Sequence, residues 1–269
     1  MTTGLGRSEG VSGDMGTAIE IPLDPGLEVI ADLHLDPADR SECERFAAWL
    51  GARAELKRLV VLGDLFDAWV GPAHSQMDGA REVLNAFRAV TSQGGAVELL
   101  WGNRDFLLDE RVASEAGARL CRDSLLAVNE AGERTLFVHG DELCTLDTSY
   151  QRLRRVLRSR WVTGLLLRLP LMLMLWLARR LRSSSKRAVG RKPPEEMAMQ
   201  ADVVLDLSRK SAARALVCGH AHQWRDEEVG DGVRWVVLDA FGGGMDCLRV
   251  DTNGCLVGTS SGFGVGGSE

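Results

Sequence analysis

Three apolar runs in the first half of the chain are separated by amphipathic helical segments, and each run ends in a short polar motif. The runs begin at Leu27, Leu59 and Val97 and end in Asp32-Leu33-His34, Gly63-Asp64 and Gly102-Asn103. Apolar residues in the segments between them recur at helical spacing. This alternation of strand and helix predicts an α/β fold in which helices cover the faces of a sheet.

Four further strands are predicted at residues 124–129, 134–139, 215–218 and 235–239. Polar residues follow most of the predicted strands at their carboxyl ends. Open α/β sheets place their ligand sites at that edge. The sequence therefore predicts a functional site at this edge of the sheet.

Composition shifts along the chain predict its domain organisation. Residues 1–26 are rich in Gly, Ser and Thr and are predicted to form a disordered tail. The core is predicted at 27–149 and 195–260, and the Gly-rich residues 261–269 as a flexible tail. The alternation stops at 150–194, where we predict a helical insertion of two helix-like segments and a Ser/Lys/Arg loop.

The insertion also divides the charge of the chain. Residues 151–194 carry 13 of the 32 Lys and Arg and none of the 38 Asp and Glu, so the remainder has a formal charge of −19. A basic block of this kind predicts an anionic partner. The block interleaves Leu and Met rather than stacking aromatics, which favours a lipid surface, and no nucleic acid partner is expected.

The apolar stretch at 161–178 is too short to span a bilayer. Arg168 and Pro170 interrupt it, whereas a span needs roughly twenty apolar residues. Six cysteines without a CxxC pair, and the lack of a signal-peptide pattern, predict a reduced cytoplasmic compartment. The stretch is therefore expected to lie on a membrane rather than to cross it.

Five polar motifs carry residue types that bind divalent cations. They are Asp32-Leu33-His34, Gly63-Asp64-Leu65-Phe66-Asp67, Gly102-Asn103-Arg104-Asp105, His139-Gly140-Asp141 and Gly219-His220-Ala221-His222. Carboxylate, imidazole and amide ligands without cysteine suit Mn, Fe or Zn. On an extended strand end, Asp32 and His34 would point the same way, because the side-chain period is two. Each motif alone could be an ordinary turn, but seven ligands exceed the needs of one ion and fit two ions roughly 3.5–4 Å apart.

The order of these motifs resembles the calcineurin-like metallophosphoesterase superfamily. The resemblance implies a four-layered β-sandwich flanked by helices, with two divalent metal ions. It implies that Asp32, His34 and His222 bind the first ion, that Asp64 bridges both, and that Asn103, His139 and His220 bind the second. Asp67, Asp105 and Asp141 would hold ligands and water in place.

Arg104 narrows the resemblance, because most members of the superfamily carry His after the Asn. The sequence Gly102-Asn103-Arg104-Asp105, followed by Phe106, is similar to the UDP-2,3-diacylglucosamine diphosphatases of lipid A biosynthesis. That family implies Mn²⁺-dependent hydrolysis of a lipid-linked nucleotide, by two-metal activation of water that attacks the α-phosphorus, at the cytoplasmic face of the inner membrane. It implies substrate contacts at Asn103, Arg104, Asp147, Ser185, Lys192 and His220. Arg104 and Asp64 would be catalytic.

Two other functions remain open at this stage. A dimetal phosphoesterase for another nucleotide diphosphate or phosphodiester would keep the ligands but would not depend on acyl chains. A non-catalytic membrane-binding module would use the basic block alone and would need no ordered ligand set.

Overall fold

The computed structural model describes residues 19–189 and 192–264, and of residues 184–189 it describes the backbone alone. Within these residues the strands are β1 Ile19–Pro22, β2 Leu27–Ile30, β3 Arg58–Val61, β4 Ala96–Leu100, β5 Arg119–Arg122, β6 Ser124–Val128, β7 Arg134–Val138, β8 Ala213–Cys218, β9 Arg225–Val229, β10 Val233–Val237, β11 Cys247–Val250 and β12 Leu256–Thr259. The helices are α1 Arg40–Gly51, α2 Asp78–Ser92, α3 Glu110–Glu115, α4 Thr148–Leu157, α5 Arg160–Leu166, α6 Leu171–Val189, α7 Pro194–Met197 and α8 Ala201–Ser211.

The strands form two six-stranded sheets that pack face to face. The strand order is β1-β6-β7-β8-β10-β9 in the first sheet and β12-β11-β2-β3-β4-β5 in the second. Strands β2, β3, β4 and β5 are parallel neighbours, as are β7 and β8. The carboxyl ends of these strands are the ends that carry the polar motifs.

Apolar side chains fill three layers around the sheets. Val60 and Val236 are fully buried between the two sheets. Phe46 of α1 and Phe87 of α2 meet edge to face at 6.0 Å on the outer side of the second sheet, and Val204 of α8 is buried on the outer side of the first. The prediction of a four-layered sandwich flanked by helices is confirmed.

The prediction of disorder across residues 1–26 is wrong for its last part. Ile19–Pro22 form β1, which pairs in parallel with β6, and Ile21 is buried. Alternating Ile residues suit a strand that packs one face on a core. Residues 1–18 lie outside the described residues.

The predicted C-terminal tail also begins inside the fold. Asp246 accepts hydrogen bonds from the Ser261 backbone N–H at 2.6 Å and from its hydroxyl at 2.5 Å. The Phe263 ring lies 4.6 Å from that of Phe241. A buried carboxylate and an aromatic pair therefore fix these residues, and 265–269 lie outside the described residues.

Helices α4 to α7 occupy the region of the predicted insertion, and we call α4, α5 and α6 the cap. Leu166 and Met174 are buried against the core of the second sheet. The predicted Ser/Lys/Arg loop is wrong, because α6 continues to Val189; no Gly or Pro interrupts 171–189, so nothing local ends the helix. No helix in the described part of the chain is long and apolar enough to cross a membrane.

Candidate metal centre

The seven predicted metal ligands come from five loops that follow five strands. Asp32 and His34 follow β2, Asp64 follows β3 and Asn103 follows β4. In the other sheet, His139 follows β7, and His220 and His222 follow β8. Because these strand ends lie at one edge of the sandwich, residues far apart in sequence meet there.

The backbone at five of the seven predicted ligand residues is left-handed rather than extended. Asp32, His34 and Asp64 have φ of 54°, 51° and 50°, and His220 and His222 have φ of 69° and 53°. The expectation that Asp32 and His34 share a face of an extended strand is therefore wrong, since β2 ends at Ile30. Their side chains converge because the chain turns sharply at each ligand.

The first group of ligand atoms belongs to Asp32, His34 and His222, which lie within 4.8 Å of one another. His34 Nε2 is 3.2 Å from His222 Nε2, and His222 Nε2 is 3.4 Å from Asp32 Oδ1. Asp32 Oδ1 and His34 Nδ1 are buried without a hydrogen-bond partner among the described residues. Buried polar atoms without a partner, next to further carboxylate and imidazole ligands, suit a cation.

The second group surrounds Asp64 and His139, with Asp32 again within 4.8 Å. Asn103 Oδ1 is 3.0 Å from His139 Nε2 and 3.1 Å from a ring nitrogen of His220. Asp64 Oδ1 is 3.9 Å from His139 Nε2. The structure thus brings together the four residues that the resemblance assigns to the second ion.

Asp64 lies between the two groups. Its Oδ2 atom is 3.7 Å from His34 Nδ1, while its Oδ1 atom faces His139. A carboxylate with one oxygen toward each group can bridge two cations.

The electrostatics of the site favour neutral imidazoles at His34 and His220 but a protonated ring at His139. Burial, together with the Arg104 charge, lowers the pKa of His34 to about 3, and burial lowers that of His220 to about 4. Burial raises the pKa of Asp64 to about 7. Burial opposes protonation of His139 too, but the Asp64 and Asp32 carboxylates outweigh it and raise its pKa to about 9. A bound cation would balance the charge of the Asp64 and Asp32 carboxylates in place of the His139 proton.

Two further carboxylates and a backbone carbonyl hold the ligand loops. Asp105 accepts hydrogen bonds from the Leu65 and Gly102 backbone N–H groups at 2.8 and 2.7 Å, which ties the Asp64 loop to the Asn103 loop. Asp141 accepts one from the Tyr150 hydroxyl at 2.6 Å. The backbone oxygen of Leu62 lies 2.8 Å from His139 Nδ1, so His139 presents Nε2 to the site.

Arg104 lies at the edge of the site with a partly exposed guanidinium. Its backbone N–H donates to Asp64 Oδ1 at 2.9 Å, and its Nε is 3.3 Å from Asp64 Oδ2. Its Nη1 donates to Asp67 Oδ1 at 2.7 Å. Asp67 also pairs with Arg182 of α6, so it connects Arg104 to the cap.

The predicted substrate residues of the cap region are placed only in part. Lys192 donates hydrogen bonds to Asp147 and, at 2.8 Å, to the Ser149 hydroxyl. Asp147 also caps α4 by accepting from the Tyr150 backbone N–H at 2.9 Å. Ser185 lies in α6, and its side chain is outside the described residues.

Sequence reasoning missed three arginines that reach the site region from the cap. Arg182 pairs with Asp67, Arg154 Nε donates to Asp141 Oδ2 at 2.7 Å, and Arg158 Nη2 donates to the Gly102 carbonyl at 2.9 Å. The spacing of Arg154 and Arg158 by four residues, on a helix without a carboxylate of its own, was the available signal.

Known proteins resemble this chain over most of its length. Residues 29–224 match the Calcineurin-like phosphoesterase family. A protein of Sodalis glossinidius (strain morsitans) named UDP-2,3-diacylglucosamine hydrolase is 33% identical over 235 residues, which cover 85% of this chain and 95% of that protein. One of the same name from Pseudomonas paraeruginosa is 36% identical over 231 residues, covering 84% and 95%. Among solved structures, a dimetal phosphatase from Danio rerio has a TM-score of 0.40 and 16% identity, with 80% of this chain and 88% of that one covered.

Proposed function

The chain belongs to the calcineurin-like phosphoesterase family, among the UDP-2,3-diacylglucosamine hydrolases, and from that premise we propose that it cleaves the pyrophosphate bond of UDP-2,3-diacylglucosamine. The products are UMP and 2,3-diacylglucosamine 1-phosphate. The observation that carries the proposal is the pair of adjoining ligand groups that share Asp32 and are joined by Asp64.

Two divalent ions, with Mn²⁺ as the expected metal, would be held by the seven ligand residues. Asp32, His34 and His222 would hold the first, Asp64 both, and Asn103, His139 and His220 the second. The buried oxygen of Asp32 and ring nitrogen of His34 that lack partners among the described residues fit this arrangement. When bound, the ions supply a water acidic enough to attack phosphorus at neutral pH, and positive charge beside the phosphoryl oxygens.

Arg104 and Asn103 would orient the diphosphate. The Arg104 guanidinium is held by Asp67 and Asp64, and the side chain is 29% exposed, so it can still donate to a phosphoryl oxygen. Asp147, Ser185 and Lys192 would bind substrate from the side of the cap. With these assignments, the reacting phosphorus would lie between the ligand groups and the basic helices of the cap.

The cap would receive the acyl chains and rest on an anionic membrane. Trp161, Met172 and Trp176 are 86%, 76% and 54% exposed, and large exposed apolar side chains beside basic residues suit a lipid surface. The block of positive charge would add attraction to anionic headgroups. We place the enzyme at the cytoplasmic face of the inner membrane as a peripheral protein, without a nucleic acid partner.

Mass spectrometry of the reaction in water enriched in oxygen-18 tests the proposal. With purified protein and Mn²⁺, UDP-2,3-diacylglucosamine should yield UMP that carries the label, because attack is at the α-phosphorus. Label in the lipid phosphate would contradict that step. The deacylated UDP-sugar should be cleaved far more slowly; equal rates would favour another nucleotide diphosphate as substrate.

Asp64→Ala is the matched inactive variant for this assay. It removes a carboxylate that faces both ligand groups, so turnover should fall by more than the roughly 100-fold seen when a residue that only supports a ligand is lost. Full Mn²⁺-dependent turnover by this variant would contradict the two-metal mechanism. Parallel reactions with Mg²⁺ and Zn²⁺ test the choice of metal.

A further inference from the structure

Helix α4 of the cap contacts the loops that carry two of the ligands. Arg158, at its C-terminal end, donates from Nη2 to the Gly102 carbonyl at 2.9 Å and from Nη1 to Asp123 at 2.8 Å. Its side chain is only 10% exposed. An arginine held by a backbone oxygen and a carboxylate at once is fixed in orientation as well as in position.

The Gly102 carbonyl belongs to the peptide group that directly precedes Asn103. The opposite side of Gly102 is packed so closely on Asp64 that a Cβ there would clash with the Asp64 carboxylate and amide. The Gly102 N–H donates to Asp105 at 2.7 Å. Arg158 therefore holds the carbonyl of the peptide that leads into Asn103.

Arg158 also approaches the loop of His139. Its Nη2 lies 3.5 Å from Asp141 Oδ2, and Arg154 Nε donates to the same oxygen at 2.7 Å. Asp141 is fully buried two residues after His139. Because both arginines contact this oxygen, Asp141 links the His139 loop to α4.

We propose that Arg158 is a positioning residue that holds Asn103, and through Asp141 also His139, in the arrangement that binds the second metal ion. The inference rests on the proposed two-metal function and assigns part of α4 to the metal site rather than to substrate. Arg158 acts through the Gly102 peptide and the Asp141 carboxylate.

Calorimetric titration of metal-free protein with Mn²⁺ tests this inference independently of turnover. Wild type should bind two ions. Arg158→Met keeps the aliphatic stem but removes the donors, so one of the two ions should bind about 10- to 100-fold more weakly while the other keeps its affinity. In hydrolysis at limiting Mn²⁺, kcat should fall while KM for the nucleotide stays unchanged.

Three variants separate positioning from stability and charge. Arg155→Met removes an exposed arginine of the same helix and should match wild type. Asp123→Asn removes an ion pair of Arg158 but leaves the Gly102 contact, so it should weaken metal binding much less than Arg158→Met does, even if the melting temperature falls as far. Arg158→Lys can reach one partner but not both, and should restore part of the lost affinity.

The outcomes distinguish this inference from the proposed function. Wild-type affinity for both ions in Arg158→Met would overturn the inference and leave the function standing. A raised KM with unchanged kcat would also overturn it, by placing Arg158 at the substrate. Equal losses of metal affinity in Asp123→Asn and Arg158→Met would mean that Arg158 only stabilises the fold, and would overturn the inference. A wild-type protein that binds fewer than two ions would overturn both the function and the inference.

Discussion

Five of the seven ligand residues have left-handed backbones shortly after their strands, and these turns let their side chains converge. Asp32, His34 and Asp64 all have φ near 50°, and such left-handed conformations cost non-glycine residues about 1–3 kcal/mol each. Local contacts offset part of this cost, as where Asp32 accepts a hydrogen bond from the His220 backbone N–H at 2.6 Å. Cations would add to this stabilisation, since buried carboxylates otherwise repel one another.

At the residue scale, we expect the stabilisation that Mn²⁺ gives to grow between about pH 6.5 and 9. The folded-state pKa of His139 is raised to about 9, above its unfolded value of about 6.5. Its proton therefore stabilises the metal-free protein fully below pH 6.5, and this contribution is lost as the pH rises through 9. Mn²⁺ needs the neutral imidazole, so it binds better over the same range. Thermal melts with and without Mn²⁺ measure the difference in Tm.

Two histidine variants show whether His139 causes that trend. His139→Asn should flatten the pH dependence of the Tm difference, because the titrating ring is gone. His74→Gln changes a histidine that is also buried but belongs to neither ligand group. This variant should keep the wild-type pH dependence of the Tm difference. A Tm difference that stays constant from pH 6.5 to 9 in wild type would refute the role given to His139.

At the scale of elements, motifs at strand ends were predictable and the contacts between elements were not. Asp32, Asp64 and Asn103 could be placed together because parallel strands bring their carboxyl ends to one edge. The left-handed turns could not be read from local periodicity, because close packing decides them, and the alternation in β1 spans only four residues and was too short to predict a strand. Arg158 was missed because its partners, Gly102 and Asp123, are distant in sequence.

A prediction for Asp147 separates its N-capping of helix α4 from its proposed role toward substrate. Asp147 caps the helix and pairs with Lys192. Asp147→Ala should lose about 1 kcal/mol, a fall in Tm of about 2–4 °C, whereas Asp147→Asn should stay near wild type because Asn caps as well. Both variants remove the charge facing Lys192, so KM should rise in both. Thermal melts and steady-state kinetics measure the two effects.

Another capping aspartate provides the control. Asp109 caps α3 by accepting from the Val112 N–H at 2.9 Å, so Asp109→Ala should lower Tm by a similar amount without changing KM. If Asp147→Asn destabilised the protein as much as Asp147→Ala, the N-cap hydrogen bond would not be the source of the lost stability. An unchanged KM in both Asp147 variants would remove Asp147 from the substrate site.

At the scale of the whole molecule, the charge and the exposed apolar side chains are distributed unevenly. The basic block at residues 151–194 contrasts with the rest of the chain, whose formal charge is −19. Trp161, Leu165 and Met172 are all more than half exposed on cap helices. A surface that combines cationic and apolar side chains favours anionic bilayers over neutral ones.

Vesicle sedimentation should show this preference and its dependence on Trp161. Binding to vesicles that contain anionic phosphatidylglycerol should exceed binding to neutral phosphatidylcholine and should weaken as salt screens the basic residues. Trp161→Ser should reduce partitioning at least about tenfold, because a large apolar side chain no longer leaves water. The matched control is Val257→Ser, which removes a 46% exposed apolar side chain from β12, outside the cap.

The two variants separate a specific membrane face from general stickiness. If the cap is the membrane face, Val257→Ser should bind anionic vesicles like wild type while Trp161→Ser does not. Equal losses in both would mean that any exposed apolar residue contributes, and equal binding to neutral and anionic vesicles would remove the role of the basic block. Because cap helix α4 also contacts the Gly102 and Asp141 loops, a membrane that orients the cap would present the lipid-linked diphosphate to the ligand groups from the side on which Arg104 is exposed.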